Sequence, residues 1–111
     1  METKRRQAEK PGHAVPEQEE FYTLSEVFKV FGDPTRLRLL WALCEGDRCV
    51  SELSDKLGMG QSAISHQLRL LRQARLVRFH REGKTSVYSL DDDHVRLIFE
   101  LGLSHIREEG G

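Results

Sequence analysis

Cysteine is scarce in this chain: Cys44 and Cys49 are the only two among 111 residues. Two thiols cannot build the disulfide framework of a small secreted domain, and a separation of five residues matches no standard zinc spacing. Free thiols in a reducing compartment are the expectation. Long apolar runs are missing as well. None approaches the ~20 residues of a membrane span, and the charged N-terminal stretch has no apolar core like that of a secretory signal. The chain is therefore expected in the cytoplasm, away from membranes. Net charge is nearly absent too, since 17 Lys and Arg stand against 18 Asp and Glu. What remains is a length suited to one small domain, to which a dimer interface would add core.

The near-zero total hides an uneven distribution. From Lys56 to Lys84 seven Lys or Arg face a single acid, Glu82, while Glu17, Glu19, Glu20 and Asp91 to Asp93 load the flanks with negative charge. Basic residues recur at every third position through Arg69, Arg72, Arg75, Arg78, Arg81 and Lys84. A positive strip on a nearly neutral protein points to a polyanionic partner.

Residues 1–18 are polar, contain Pro11, Gly12 and Pro16, and show no apolar period. They are expected to form a disordered arm ahead of one domain over 19–109. Phe21, Leu24, Phe28 and Phe31 then recur at helical spacing, and Gly32 ends that helix. Asp33 and Pro34 read as N-cap and first position of a second helix, with Leu37, Leu40, Trp41 and Cys44 as its inward stripe. A short third helix turns Val50, Leu53 and Leu57 inward, and Gly58-Met59-Gly60 breaks it. The next helix, roughly Gln61 to Ala74, buries Ile64, Leu68 and Leu71. A short helix, a tight glycine turn and a longer helix make the helix-turn-helix order.

The outer face of that longer helix carries Gln61, Ser62, Ser65, His66, Arg69 and Arg72. Small hydroxyls and an imidazole near its N-terminal end suit base edges in a major groove, and arginine further along suits phosphate. A solvated helix face is the plain alternative. The next stretch of chain favours the DNA-facing reading. Leu76 to His80 and Thr85 to Leu90 are strand-like, with Glu82-Gly83-Lys84 as the turn between them, so a hairpin wing succeeds the helix-turn-helix. Arg81 and Lys84 at its tip suit phosphate or minor-groove contacts. The fold expected is mainly α with a β-hairpin, a winged helix-turn-helix, with double-stranded DNA as partner. Ser65-His66 is no catalytic pair, because adjacent helical residues point ~100° apart and no acid orients the imidazole. No enzyme and no small organic substrate are expected.

The last segment, Asp91 to Glu109, reads as a helix with two usable faces. Val95, Ile98, Gly102 and Ile106 define one stripe; His94, Leu97, Leu101, His105 and Glu108 define its neighbour. So wide an apolar arc requires a partner helix. Asp92, His94, His105 and Glu108 are also potential metal ligands. On a helix rising about 1.5 Å per residue, His94 and His105 lie roughly 16 Å apart on nearly the same face. One chain cannot close such a site. A second copy running antiparallel could, with the two-fold axis close to Glu100 and Leu97 and Leu101 meeting their mates. Asp92 and His94 diverge by about 200° on a regular helix, and they converge only if Asp92 lies in the non-helical cap.

The order of elements, the stretch Gln61-Ser62-Ala63-Ile64-Ser65-His66-Gln67-Leu68, the opening Gly32-Asp33-Pro34-Thr35-Arg36 and the C-terminal quartet together resemble the ArsR/SmtB family of metal-sensing repressors over roughly Phe21 to Glu109. The resemblance implies a homodimer through the N- and C-terminal helices that binds an inverted-repeat operator without metal and leaves it when metal binds. Its subgroup with ligands on the C-terminal helix implies Asp92 and His94 from one protomer and His105 and Glu108 from the other. A nitrogen and oxygen set of this kind suits Zn(II), with Co(II) a mimic and Ni(II) preferring more ligands. The resemblance also implies that His105 coordinates through one ring nitrogen and donates from the other toward the backbone near Arg75. A second subgroup implies a softer metal held by Cys49 with Glu52 and His13; a thiol redox response of Cys44 and Cys49 is a separate alternative. A constitutive DNA-binding protein would share the basic strip and show no metal effect.

Overall fold

The computed structural model describes residues 14–108. His13 and most of the 1–18 arm lie outside the described residues. Helix α1 (Gln18–Phe31) already includes Gln18 and stops at Gly32. The Asp33 carboxylate accepts from the Arg36 amide at 3.1 Å and Pro34 occupies the first turn of α2 (Pro34–Cys44), the cap that the sequence announces. Strand β1 (Arg48–Cys49), helix α3 (Val50–Leu57) and helix α4 (Gln61–Gln73) come next, then β2 (Val77–Glu82), β3 (Thr85–Leu90) and α5 (Asp93–Arg107). Five helices thus accompany one antiparallel sheet of order β1-β3-β2.

The break between α3 and α4 rests on Gly58, whose φ of 68° is left-handed and whose amide donates to the Ser54 carbonyl. The wing turns on Gly83 at φ 65°. Its loop is two residues, shorter than expected: Glu82 remains in β2 opposite Thr85, leaving Gly83 and Lys84 to close the hairpin. A positive φ at the first loop position matches the twist of the flanking strands. Strand β1 was not foreseen. Only two residues long, it pairs Arg48 with Tyr88 and Cys49 with Val87, and so ties the wing's base to the body.

The core gathers around α2. Leu39, Leu40 and Leu43 are fully covered together with Leu53, Ile64, Leu68 and Leu71. The expected α2 stripe is therefore corrected. Leu40 belongs to it, Leu37 and Cys44 are half-buried, and Trp41 is 40% exposed. Helix α2 is packed by α1, α3, α5 and β3, which shifts and widens its buried arc. Trp41 falls at the edge, with the Lys56 ammonium 5.0 Å from its ring centre.

Four arginines donate to carbonyls at helix ends. Arg36 Nε donates to the Val30 carbonyl at the end of α1 at 2.8 Å, and Arg38 to the Leu57 carbonyl at the end of α3 at 3.0 Å. Arg48 and Arg96 donate to the Ala42 and Cys44 carbonyls at the end of α2. A cation at a helix C-terminus meets both the orphan oxygens and the negative end of the helix dipole. These cations serve the fold and leave the basic strip to other uses.

Candidate functional site

Helix α4 sorts its residues by period. Ile64, Leu68 and Leu71 face the core, and Gln61, Ser62, Ser65, His66 and Arg69 are all exposed on the opposite side. Gln67 lies at the boundary and accepts from Arg36 Nη1 at 3.3 Å, so the arginine that closes α1 also holds the flank of α4. On the wing Arg81 and Lys84 are exposed, and Arg81 donates to Ser86 Oγ across the hairpin at 3.3 Å. Arg72 is exposed as well, and its guanidinium lies over the Phe79 ring, 4.5 Å from the centroid. Helix face and wing together give a convex edge of hydroxyl, imidazole and cationic groups, of the kind that enters a groove and grips its phosphates.

At the head of α5, Asp92 is the N-cap, in extended geometry at φ −160°, and its carboxylate accepts from the Val95 amide at 3.2 Å. The other carboxylate oxygen lies 3.4 Å from His94 Nδ1. Desolvation works against the charged carboxyl, but the hydrogen bonds from Val95 and His94 and the nearby imidazole outweigh it and hold Asp92 below its ordinary value. His105 and Glu108 sit exposed at the opposite end of the helix, where Glu108 is the C-cap. Among the described residues of one chain, no three His, Cys, Asp or Glu side chains come together around a common point.

The face that α5 gives to its own chain combines Val95, from one of the two stripes, with Phe99, which belongs to neither. Val95 is buried and Phe99 packs on the core, while Ile98 and Ile106, assigned to the same stripe as Val95, are 39% and 67% exposed. Arg96, between Val95 and Phe99 in sequence, donates to the Cys44 carbonyl at the end of α2. Leu97 and Leu101 remain exposed beside Ile98 and Ile106, and on α1 Phe21, Leu24 and Phe28 are more than half or half exposed. Only Phe31 of that aromatic stripe is buried.

Both cysteines are free thiols. Cys44, at the end of α2, has its thiol pushed up by burial. Cys49 is the N-cap of α3, with its amide donating to Glu52 Oε1 at 2.9 Å; the backbone hydrogen bond from Cys49, then its side-chain bond, hold Glu52 low. Glu52 is thus occupied in closing the start of α3.

Residues 33–78 match the family model described as bacterial regulatory protein, arsR family. A cadmium resistance transcriptional regulatory protein CadC homolog from Staphylococcus aureus is 36% identical over 86 residues, 77% of this chain and 71% of that protein. The chain belongs to the ArsR family. The transcriptional repressor SmtB homolog of Synechocystis sp. is 41% identical over 85 residues, 77% of this chain, which spans 64% of that relative's length. The homodimeric winged helix-turn-helix DNA-binding domain of a possible ArsR-family regulator from Mycobacterium bovis has a TM-score of 0.79 at 25% identity, covering 86% of this chain and 92% of that one. As an ArsR-family protein, the chain is a DNA-binding transcriptional regulator rather than an enzyme.

In this ArsR-family chain the sequence reading missed Arg75, which adopts a left-handed φ of 62°. It succeeds the α4 cap: the Arg75 amide donates to the Arg72 carbonyl and the Leu76 amide to the Leu71 carbonyl, both at 2.9 Å. That is the Schellman ending, normally built on glycine. No Gly or Asn marks it here, so composition gave no signal. The role of Arg36 was missed as well, although its place just beyond Pro34 set it beside the end of α1.

Proposed function

We propose that this protein is a metal-responsive transcriptional repressor, a homodimer that holds an inverted-repeat operator in its metal-free state and leaves it on binding Zn(II), with Co(II) able to substitute. The observation that carries the metal part is the head of α5. The extended cap returns the Asp92 carboxylate to within 3.4 Å of His94 Nδ1, so residues that a regular helix would splay apart form one oxygen-nitrogen pair. His105 and Glu108 offer a second pair. The two imidazoles and two carboxylates suit a tetrahedral Zn(II). Asp92 and His94 of one protomer with the partner's His105 and Glu108 would hold it, and when bound it supplies a fixed cross-link between two copies of α5. The uncovered Leu97 and Leu101 support an antiparallel pairing of those helices near Glu100.

On the DNA side, Gln61, Ser62, Ser65 and His66 present donors and acceptors to base edges, and Arg69, Arg81 and Lys84 grip phosphate. Two such faces bind together only when their recognition helices lie one DNA turn apart, about 34 Å. The dimer arrangement at α5 and α1 fixes that spacing, so a change there reaches both half-sites at once. The metal-resistance and repressor names of the relatives agree with this reading.

The test titrates zinc into the protein on an inverted-repeat DNA, following stoichiometry and release together. One ion per protomer with release, both lost in His94→Ala, is expected. Tight zinc binding that survives His94→Ala but fails in Cys49→Ser would move the site to the start of α3. Unchanged operator affinity at saturating zinc would leave a constitutive DNA-binding protein.

A further inference from the structure

Between the recognition helix and the wing run only Ala74, Arg75 and Leu76. The angle between the two DNA-facing parts therefore depends on contacts made across that joint. One such contact is built from three side chains. Arg72, in the last turn of α4, lays its guanidinium over the Phe79 ring of β2 at 4.5 Å, and Phe79 lies 5.4 Å from the ring of Tyr88, its cross-strand partner on β3. Phe79 is 36% exposed and Tyr88 half-buried, so the stack sits at the rim of the body. A guanidinium is suited to this position, being planar, always charged and weakly enough hydrated to lie on a ring face.

We propose that Arg72 is a positioning residue for the wing: the Arg72-Phe79-Tyr88 stack sets the angle between recognition helix and hairpin, and so sets how much Arg81 and Lys84 contribute to operator affinity. The proposal rests on the DNA-binding reading of the wing and adds to it a residue that acts through another. Arg72 is exposed like the rest of the every-third-residue series, and it is the one of these arginines whose guanidinium lies on a wing ring. Its neighbours in that series, Arg69 and Arg75, are equally exposed and make no such ring contact.

The experiment measures operator affinity against salt concentration for the full chain and for Arg72→Lys, Phe79→Leu and Phe79→Tyr, each with and without the pair Arg81→Ala and Lys84→Ala. In the otherwise unaltered chain the wing-tip pair is expected to weaken binding and to lower the salt slope by about 2. Phe79→Leu and Arg72→Lys should each weaken binding roughly threefold to tenfold, the range such a contact supports. In either background, removing Arg81 and Lys84 should then have less than half its former effect on log affinity. Phe79→Tyr, which keeps the ring, should behave as the unaltered chain. Undiminished wing-tip losses in the Phe79→Leu and Arg72→Lys backgrounds would overturn the proposal. So would full affinity in Phe79→Leu, which would instead assign Arg72 to phosphate. A wing-tip pair without effect in the unaltered chain would remove the wing reading itself, and this proposal with it. Circular dichroism and melting of Phe79→Leu check that the fold persists.

Discussion

Helices α4 and α5 carry similar aliphatic stripes and cover them in opposite ways. Ile64, Leu68 and Leu71 are fully buried, whereas Leu97, Leu101 and Ile106 are 50%, 68% and 67% exposed. The first stripe is completed by α3, β2 and the rest of the core within one chain, the second by nothing among the described residues of that chain. Periodicity thus states that a face will be covered, and leaves open what covers it. Function divides along the same line. The proposed DNA-facing edge lies within one protomer, while the proposed quartet of α5 is split between the ends of a helix whose apolar side is exposed among the described residues.

The largest expected effect tests the covered stripe. Leu68→Ala should lower stability by roughly 3–5 kcal/mol in urea denaturation, since it empties a fully buried site. Leu101→Ala, measured at protein concentrations low enough to keep the chain monomeric, should change stability by less than about 0.5 kcal/mol. Equal losses at the two positions would erase the distinction between the helices. The next effect belongs to the bare stripe. Leu101→Glu places like charges opposite each other across the proposed two-fold and should weaken dimerisation roughly 100-fold in sedimentation equilibrium, with the circular dichroism spectrum retained. A dimer of undiminished strength would move the interface away from α5.

Much of the fold was legible because its signals are local. Asp33-Pro34, Gly58 and Gly83 each state a backbone geometry, and Ile64, Leu68 and Leu71 keep strict helical spacing. Those signals suffice for the helix-turn-helix and the wing. What escaped depends on distant partners. The two residues of β1 are strand only because β3 lies beside them. Trp41 lies outside the core because the elements packed on α2 cover Leu39, Leu40, Ala42 and Leu43 instead. Which residues of α5 meet the chain's own core depends on how that helix lies against α2, which periodicity does not state. At the proposed quartet, the spacing showed that Asp92 and His94 approach only if Asp92 is non-helical, and Asp92 is an extended N-cap. The stack of Arg72 on Phe79 was not visible, because residues seven apart across a helix end have no fixed relation until the joint at Arg75 is known.

A smaller effect separates Asp92 as cap from Asp92 as ligand. Its carboxyl is held below the ordinary value in the folded chain, so its contribution is present above the unfolded pKa, near ~4, and is lost as pH falls through the folded one. Asp92→Ala should lower Tm by roughly 4 °C at neutral pH and flatten the acid limb of the stability curve. Asp92→Asn keeps a capping oxygen and should restore most of the loss at neutral pH, still without the acid dependence. Zinc affinity lost in both variants would mark the carboxylate as a ligand; zinc affinity kept in Asp92→Asn would confine it to the cap.

The smallest effect lies at the joint between the two DNA-facing parts. A non-glycine residue in left-handed geometry costs about 1–2 kcal/mol, and glycine there gives back roughly 0.5–1 kcal/mol through its freer unfolded chain. Arg75 holds this geometry at φ 62° with both Schellman hydrogen bonds formed. Arg75→Gly should therefore raise stability by up to about 1 kcal/mol, while Arg75→Ala leaves the strain in place and changes it little. Operator affinity provides the second axis. If Arg75→Gly gains stability and loses affinity while Arg75→Ala loses the same affinity, the arginine side chain is kept for the DNA at the expense of the helix ending. If only the glycine variant binds more weakly, the stiffness of the joint is what the operator requires. Equal stability in all three chains would mean that the left-handed turn carries no strain, and that the angle of the wing is set by the Arg72 stack alone.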